Sequence, residues 1–159
     1  MSTSCAPWTS TSSDRSHGGS SGRPFYTLGH ATQQTRSVAD LIGLLNDHGI
    51  TQLVDVRRYP QSRRNPAFDR ERVQEELRQR GIQYEWQGEA LGGLREGGYR
   101  AHMRAPQFAA GMRRLERLAI EAPTAIMCAE TSPTACHRRF IAREMTGRGY
   151  RVQHIGTRG

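Results

Sequence analysis

Lysine is absent from the chain, so all 23 basic residues are arginine, and with 15 acidic residues the formal net charge is +8. A compositional bias toward arginine is enough to explain the missing lysine. The positive balance still favours an anionic partner, because a summed positive field attracts phosphate groups. Arginine also binds phosphate and carboxylate oxygens through two parallel hydrogen bonds. The composition therefore predicts a nucleotide or a nucleic acid as the partner.

Cysteine is scarce, and long apolar runs are missing. The three cysteines, Cys5, Cys128 and Cys136, are too few and odd in number for a disulfide framework. No stretch of about eighteen apolar residues is present to span a membrane, and the first residues lack the apolar segment of a signal peptide. We therefore expect a protein of the reducing cytoplasm that has no membrane partner.

The order of the segments predicts one folded domain behind a tail. Residues 1–23 are rich in Ser, Thr and Gly and poor in aliphatic side chains, which is typical of a disordered segment. From residue 24 to residue 159, short apolar runs alternate with stretches of helical periodicity. This alternation is the pattern of a single α/β domain.

Five short runs are predicted to be strands separated by helices: 25–29, 52–56, 83–86, 124–128 and 151–155. This β-α-β-α-β-α-β-α-β succession predicts a three-layer α/β fold. Right-handed crossovers would place helices on both faces of a mostly parallel five-stranded sheet. The fourth run is apolar throughout, as expected for a central strand that is buried on both faces.

Local signals predict where helices and loops begin. Ser37 and Asp40 form a variant of the capping box at the start of the first helix. The segment 88–99 contains five glycines and is predicted to be a loop. The helix after residue 128 has two alternative caps within 132–134, and either cap places Cys136 in or near the first turn.

Polar residues gather where the predicted strands end, and not where they begin. Gly29 and His30 follow the first strand, the stretch 55–64 follows the second, and residues 128–139 follow the fourth. The carboxyl ends of parallel strands meet at one edge of a sheet, where open α/β folds bind their ligands. We therefore expect a site at this edge, built from segments that are distant in sequence.

The stretch DVRRYPQSRR predicts an anion site. Prolines at positions 60 and 66 keep this region from being helical throughout, and its four arginines create a strong positive field. We predict that Arg57 and Arg63 clamp a phosphate group together with the hydroxyl of Ser62. The alternative is a solvated basic loop in which Asp55 pairs with a neighbouring arginine.

Cys136 is the candidate nucleophile. A helix N-terminus and cationic neighbours both lower the pKa of a thiol, and His137 and Arg138 follow directly. We predict a thiolate at Cys136, or a thiol that helps to bind an anion together with His137 and Arg138. The alternative is a cysteine that only packs the helix against the sheet. Glu130 and His30 are the candidate acid–base residues.

No metal ion and no cofactor are predicted. Cys128 ends a buried strand, where cysteine is most often a small apolar filler. It lies eight positions from Cys136, outside the short spacing typical of zinc ligands. A metal site formed across the rim by His30 and the two cysteines is the remaining alternative.

The strings YTLGHA, LVDVRRYPQSRRNPAF, GIQYEW, LGG, AIMCAETSPTACHRRFIA and VQHI, in that order, resemble the DUF488 (domain of unknown function 488) family over about residues 25–155. The family pattern has Ser after Gly-His, where this chain has Ala31. The resemblance implies a compact α/β domain and brings no established activity. It implies that the family signature consists of Gly29, His30, Asp55, Arg57, Pro60, Ser62, Arg63, Pro66, Phe68, Gly92, Gly93, Cys128, Glu130, Cys136, His137 and Arg138.

One main prediction of function and two alternatives follow. The main prediction is a basic site at the rim that binds a phosphate-bearing ligand, a nucleotide or a nucleic acid, with cysteine-dependent catalysis. The first alternative is a non-catalytic nucleic-acid-binding module whose affinity falls steeply with salt. The second is a partner-binding domain whose rim is only an ion-pair network.

Overall fold

The computed structural model of the chain describes residues 22–30, 35, 37–61, 65–129 and 136–156. Ser62, Arg63 and Glu130, which were predicted to act in the site, lie outside these residues, as do most of the predicted tail and both alternative helix caps in 132–134. Of the predicted tail, only the last two residues are described. The amide of Gly22 donates to the carbonyl of Gly149, and the carbonyl of Arg23 accepts from Arg151.

Five strands of the described residues form one sheet: β1 (Pro24–Gly29), β2 (Gln52–Asp55), β3 (Gln83–Trp86), β4 (Thr124–Cys128) and β5 (Arg151–His154). All pairs are parallel and the strand order is β3-β2-β4-β1-β5. The α/β sheet predicted from the sequence is therefore confirmed. β4 is buried along its whole length and lies in the centre, because its side chains are apolar on both faces.

Six α-helices lie in the described residues: α1 (Val38–Asp47), α2 (Arg70–Gln79), α3 (Gly88–Leu91), α4 (Tyr99–His102), α5 (Pro106–Glu121) and α6 (Arg138–Gly147). The capping box of α1 is confirmed. The amide of Asp40 donates to Ser37 Oγ over 3.0 Å, and the amide of Ser37 donates to Asp40 Oδ2 over 3.3 Å. The start of α6 differs from the prediction, because Cys136 lies two residues before its first residue, in a turn closed by the bond from the Arg139 amide to the Cys136 carbonyl.

The prediction of a loop over 88–99 is wrong at both ends, since α3 lies within this segment and α4 begins at its last residue. The amide of Leu91 donates to the carbonyl of Gln87, and the amide of Gly92 donates to that of Gly88. The Leu91 side chain is buried in the same core as Phe108. Tertiary burial of one leucine therefore outweighs the low helix propensity of the glycines.

Helices cover both faces of the sheet, and each face has its own core. α1 and α2 contribute Leu45 and Leu77 to one core, whereas α5 and α6 contribute Met112 and Ile141 to the other. The helices thus form the two outer layers predicted for the fold. No helix in the described part of the chain has the length and apolar character needed to cross a bilayer.

The connections reverse direction between β2 and β4. After β1 and after β2 the chain moves toward the edge formed by β3, and after β3 and after β4 it moves toward the edge formed by β5. The adjacent strands β2 and β4 therefore send the chain in opposite directions. Such a reversal opens a crevice at the carboxyl ends of the strands, where open α/β sheets bind their ligands.

Candidate functional site

A cavity of about 440 Å³ lies at this crevice. Its walls come from the segments that follow β1, β2 and β4 and from the connection between β3 and β4. The described residues that line it are His30, Arg57, Arg58, Tyr59, Gln61, Gly93, Leu94, Tyr99, Cys128, Ala129, Cys136, His137, Arg139 and Phe140. Of the predicted site residues, His30, Arg57, Cys136 and His137 are brought together here, and Arg138 is not.

Arg57 forms a buried ion pair with Asp55. Its Nε donates to Asp55 Oδ1 over 2.9 Å, and its Nη2 donates to Asp55 Oδ2 over 2.7 Å. The hydroxyl of Tyr84 donates to the same Oδ2, and Arg57 Nη1 donates to the carbonyl of Phe68. Burial is the largest single influence on the pKa of Arg57 and lowers it, but the hydrogen bonds and charge of Asp55 together with Tyr84 outweigh burial and raise the pKa. Most donors of this guanidinium are thus used inside the protein, where they fix the segment after β2.

His30 is a neutral donor in the wall of the cavity. Its ring stacks on Phe68 with the centroids 4.4 Å apart, and Arg57 Nη1 lies 3.5 Å from its Nε2. Because the arginine can only donate, the proton of His30 belongs on Nδ1, which has no hydrogen-bond partner among the described residues. Burial, and then the charge of Arg57, lower the pKa of His30 from 6.5 to about 4. At neutral pH the ring therefore carries no charge, and its N–H group is buried.

Cys136 lines the cavity, and three hydrogen-bonding groups lie around its sulfur. Its Sγ lies 2.9 Å from Cys128 Sγ, 3.4 Å from the Arg138 amide and 3.5 Å from His137 Nδ1. Neither of these cysteines is in a disulfide. The hydrogen bond from Cys128 lowers the pKa of Cys136 most, burial opposes it, and His137 lowers it further, so that the pKa falls from 9.0 to about 4.

The tautomer of His137 follows from its two neighbours. Its Nε2 lies 3.1 Å from the carbonyl oxygen of Val56, which can only accept, so Nε2 carries a proton. Its Nδ1 faces the Cys136 sulfur and is placed to take up the thiol proton. Gly93 is required beside this ring, because a Cβ atom there would come within 2.9 Å of Nδ1. The second glycine of the LGG string thus has a packing role that was not anticipated.

Arg138 points away from the cavity. Its side chain is fully buried, and its Nη1 donates to Thr27 Oγ1 over 3.0 Å. Arg139 instead lines the cavity, with its guanidinium carbon 4.6 Å from the centroid of the Phe140 ring. Successive residues at the start of a helix are rotated by about 100°, so adjacent side chains enter different surroundings.

Several lining residues were not singled out from the sequence. Cys128 was expected to be a filler, yet its sulfur contacts Cys136 inside the cavity. The sequence did indicate a place at the site, because Cys128 ends a predicted strand and the segment that follows carries Cys136 at the same edge of the sheet. Arg58 and Arg139 each adjoin a residue that was named, and Tyr99 gave no signal because the burial of its ring depends on α4.

The charges that line the cavity are positive. Arg57, Arg58 and Arg139 contribute guanidinium groups, and no acidic side chain stands among the described residues of the wall. No group of three or more His, Cys, Asp or Glu that could hold a metal ion occurs in the residues that the structure describes. The arrangement is therefore suited to an anion next to a reactive thiol.

Comparison with known proteins gives a family and no activity. A family model described as "Domain of unknown function DUF488" matches residues 37–98 and 96–145. No curated protein matches the chain, and no solved structure matches it. The two matched segments include both the arginine-rich stretch after β2 and the two cysteines of the cavity. The resemblance noted in the sequence is thus confirmed, and the chain belongs to the DUF488 family.

Proposed function

We propose that the cavity is an active site in which the thiolate of Cys136 attacks a bound, negatively charged substrate. The observation that carries the proposal is the position of Cys136 Sγ in the cavity wall, with Cys128, His137 and the Arg138 amide around it. Thiolates and not thiols are the nucleophiles, and cationic or hydrogen-bonding surroundings favour them. The proposed ligand is phosphate-bearing, a nucleotide or a nucleic acid.

His137 is the proposed base for Cys136. Its Nδ1 faces the sulfur while its other nitrogen is held by the Val56 carbonyl. A nucleophile paired with a base that is oriented by a third group is the general pattern of activated thiols. Neither His30 nor Glu130 is needed for this step, so the acid–base role predicted for them moves to His137 in this proposal. His30 would instead form part of the cavity wall as a neutral ring stacked on Phe68.

Support for an anionic ligand comes from Arg58 and Arg139, which both line the cavity. Arg57 contributes less, because Asp55 offsets its charge. The aromatic rings of Tyr59, Tyr99 and Phe140 add flat apolar surface to the same wall. Cavities of a few hundred Å³ that are mostly apolar with a few polar groups are typical of small-molecule sites.

The pH dependence of alkylation tests the nucleophile. The full chain is treated with iodoacetamide from pH 3 to pH 10, and the modification of Cys136 is located by fragmentation mass spectrometry. We expect the rate to reach half its maximum near pH 4, as set by the lowered pKa of Cys136. Cys136→Ser should abolish the modification at this position. A half-maximal rate at a pH near the pKa of an ordinary thiol, about 8.5, would contradict the role of Cys136 as a nucleophile.

A matched pair of variants tests the anion. Binding of ATP and of a short single-stranded DNA is measured for Arg139→Ala in the cavity and for Arg113→Ala on the exposed side of α5. Both variants lose one positive charge. We expect Arg139→Ala to weaken binding several-fold and Arg113→Ala to leave it nearly unchanged. Equal effects would mean that the charge of the whole molecule, and not the cavity, attracts the anion.

A further inference from the structure

We propose that Cys128 and Cys136 are a dithiol–disulfide couple that reduces a small, negatively charged disulfide, with Cys136 as the attacking thiol and Cys128 as the resolving thiol. The proposal rests on the proposed function in one respect, since it uses Cys136 as the nucleophile. It adds a second reacting residue, a substrate class and a redox outcome.

The geometry of the two sulfurs carries the proposal. Cys128 ends β4 and Cys136 lies in the turn before α6, and their Sγ atoms are 2.9 Å apart. A disulfide needs a separation of about 2.05 Å, so the sulfurs must approach by roughly 0.9 Å to bond. A shift of this size is within the reach of side-chain rotation at a turn. Both cysteines line the cavity, so a substrate held there meets the pair.

The surroundings assign the two roles. Cys136 Sγ accepts a hydrogen bond from the Arg138 amide, which stabilises the negative charge of the thiolate. It also faces His137, which can take up the thiol proton. The sulfur of Cys128 lies 2.9 Å from that of Cys136. Cys136 is therefore the thiol set up to attack, and Cys128 is placed to resolve the mixed disulfide.

The cavity selects the substrate class. Both sulfurs are almost fully buried, so the electrophile must enter the cavity, which favours a small molecule over a disulfide in a folded protein. The guanidinium groups of Arg58 and Arg139 favour a disulfide that carries carboxylates or phosphates. Glutathione disulfide has this chemistry and serves as the probe.

The reduction proceeds in two thiol–disulfide exchange steps. The Cys136 thiolate attacks one sulfur of the substrate, forming a mixed disulfide as the substrate S–S bond breaks. The leaving thiolate takes the electron pair and receives the proton that His137 took from Cys136. Cys128 then gives its proton to His137 and attacks Cys136 Sγ, forming the internal disulfide. The second substrate thiolate leaves and takes that proton, so the substrate gains two electrons and the cysteine pair loses two.

The test compares three chains that all carry Cys5→Ser, so that Cys128 and Cys136 supply the only thiols. Each is treated with glutathione disulfide at pH 7, and the peptide 118–138, which trypsin releases with both cysteines, is weighed. With both cysteines present we expect loss of two hydrogen atoms and no uptake of iodoacetamide. Cys128→Ser keeps a hydrogen-bond donor beside Cys136 Sγ but cannot form a disulfide, so it should accumulate a glutathione adduct on Cys136. Cys136→Ser should give neither product.

The outcomes separate this proposal from the proposed function. A stable glutathione adduct on Cys136 in the chain that keeps Cys128 would overturn the couple and leave the nucleophile standing. No reaction at Cys136 in any chain, with slow alkylation, would overturn both. Circular dichroism and thermal unfolding check each variant. If Cys128→Ser does not fold, the chain with both cysteines still decides, because it yields either the internal disulfide or the adduct.

Discussion

At the scale of single residues, contacts between residues that lie one to 81 positions apart in the sequence give each group in the cavity its chemical state. His137 is oriented by the carbonyl of Val56, the residue that follows β2, and by the missing side chain at Gly93. Cys136 depends in turn on His137 and on Cys128. The reactivity of one sulfur is therefore a property of three segments that the sheet holds together.

Gly93→Ala should reduce the reactivity of Cys136 without unfolding the chain. The added methyl group would come within 2.9 Å of His137 Nδ1, so the ring must move away from the sulfur. Losing a hydrogen bond to a charged group costs about 1.5–3 kcal/mol, which corresponds to a rise in the pKa of Cys136 of roughly 1–2. The pH profile of alkylation measures this rise.

Gly43→Ala is the control for Gly93→Ala, because a Cβ atom at Gly43 would meet no atom within 4 Å. It should leave the alkylation profile in place. An unchanged profile in a folded Gly93→Ala chain would show that His137 does not set the state of Cys136.

Removing the charge of Asp55 should destabilise the protein strongly. Asp55→Asn leaves the buried guanidinium of Arg57 without its counter-charge, and breaking a buried pair on one side typically costs about 3–5 kcal/mol. Urea unfolding measures this loss. Glu75→Gln removes the acid of an exposed pair with Arg78 on α2 and should leave the unfolding midpoint almost unchanged. Similar small losses in both variants would contradict a structural role for Asp55.

The sequence indicates several residues of this cavity but not the directions in which their side chains point. The pairing of Asp55 with an arginine was one of two alternatives, and spacing alone does not decide between them because both need the same residues. Arg138 was expected to bind an anion, yet it is buried against Thr27. A shift of the helix start by one residue rotates every later side chain by about 100°, and the helix start was not evident from the local signals.

At the scale of elements, the sequence was most informative where a local signal and burial agree. β4 has the bounds predicted from its apolar run, and α1 begins at the capping box of Ser37 and Asp40. The segment 88–99 was less predictable, because α3 depends on the burial of Leu91 against residues of α5. Local composition gives no information about contacts between residues that lie this far apart in the sequence.

Ser37→Ala should lower the stability of the whole protein through α1 alone. The substitution removes the hydroxyl that accepts the Asp40 amide, and loss of such a cap costs about 0.5–2 kcal/mol. Thermal unfolding measures the change. Gly43→Ala in the same helix should act in the opposite direction, by about 0.5–1 kcal/mol, because alanine is the better helix former. A stabilised Ser37→Ala chain would mean that the capping box does not anchor α1.

At the scale of the whole molecule, acid should destabilise the protein through two groups of the cavity. His30 has a pKa of about 4 in the folded chain against 6.5 when unfolded. Cys136 has a pKa of about 4 against 9.0. Between the folded and unfolded values the unfolded chain binds the extra proton in both cases. The free energy of unfolding therefore falls as the pH is lowered, by up to about 1.4 kcal/mol per pH unit for each group.

His30 and Cys136 affect the unfolding free energy over different pH ranges, so variants can separate their contributions. His30→Gln should flatten the decline of the unfolding free energy only between pH 6.5 and 4, whereas Cys136→Ser should flatten it from pH 9 downward. Urea unfolding at a series of pH values measures both slopes, and loss of packing around the mutated residue shifts the curves without changing the windows. A wild-type stability that stays constant from pH 9 to pH 6.5 would contradict the ionised state of Cys136.

The central position of β4 has a consequence for how the protein is made. β1 and β2 are synthesised first, yet they share no hydrogen-bond ladder, because β4 lies between them. Until residues 124–128 leave the ribosome, the nascent chain holds two largely apolar strand edges that face an unfilled gap. Unpaired strand edges of this kind can form hydrogen bonds with strands of other chains, which leads to aggregation. The last third of the chain is therefore both the part that completes the cavity and the part that ends the nascent chain's exposure to aggregation.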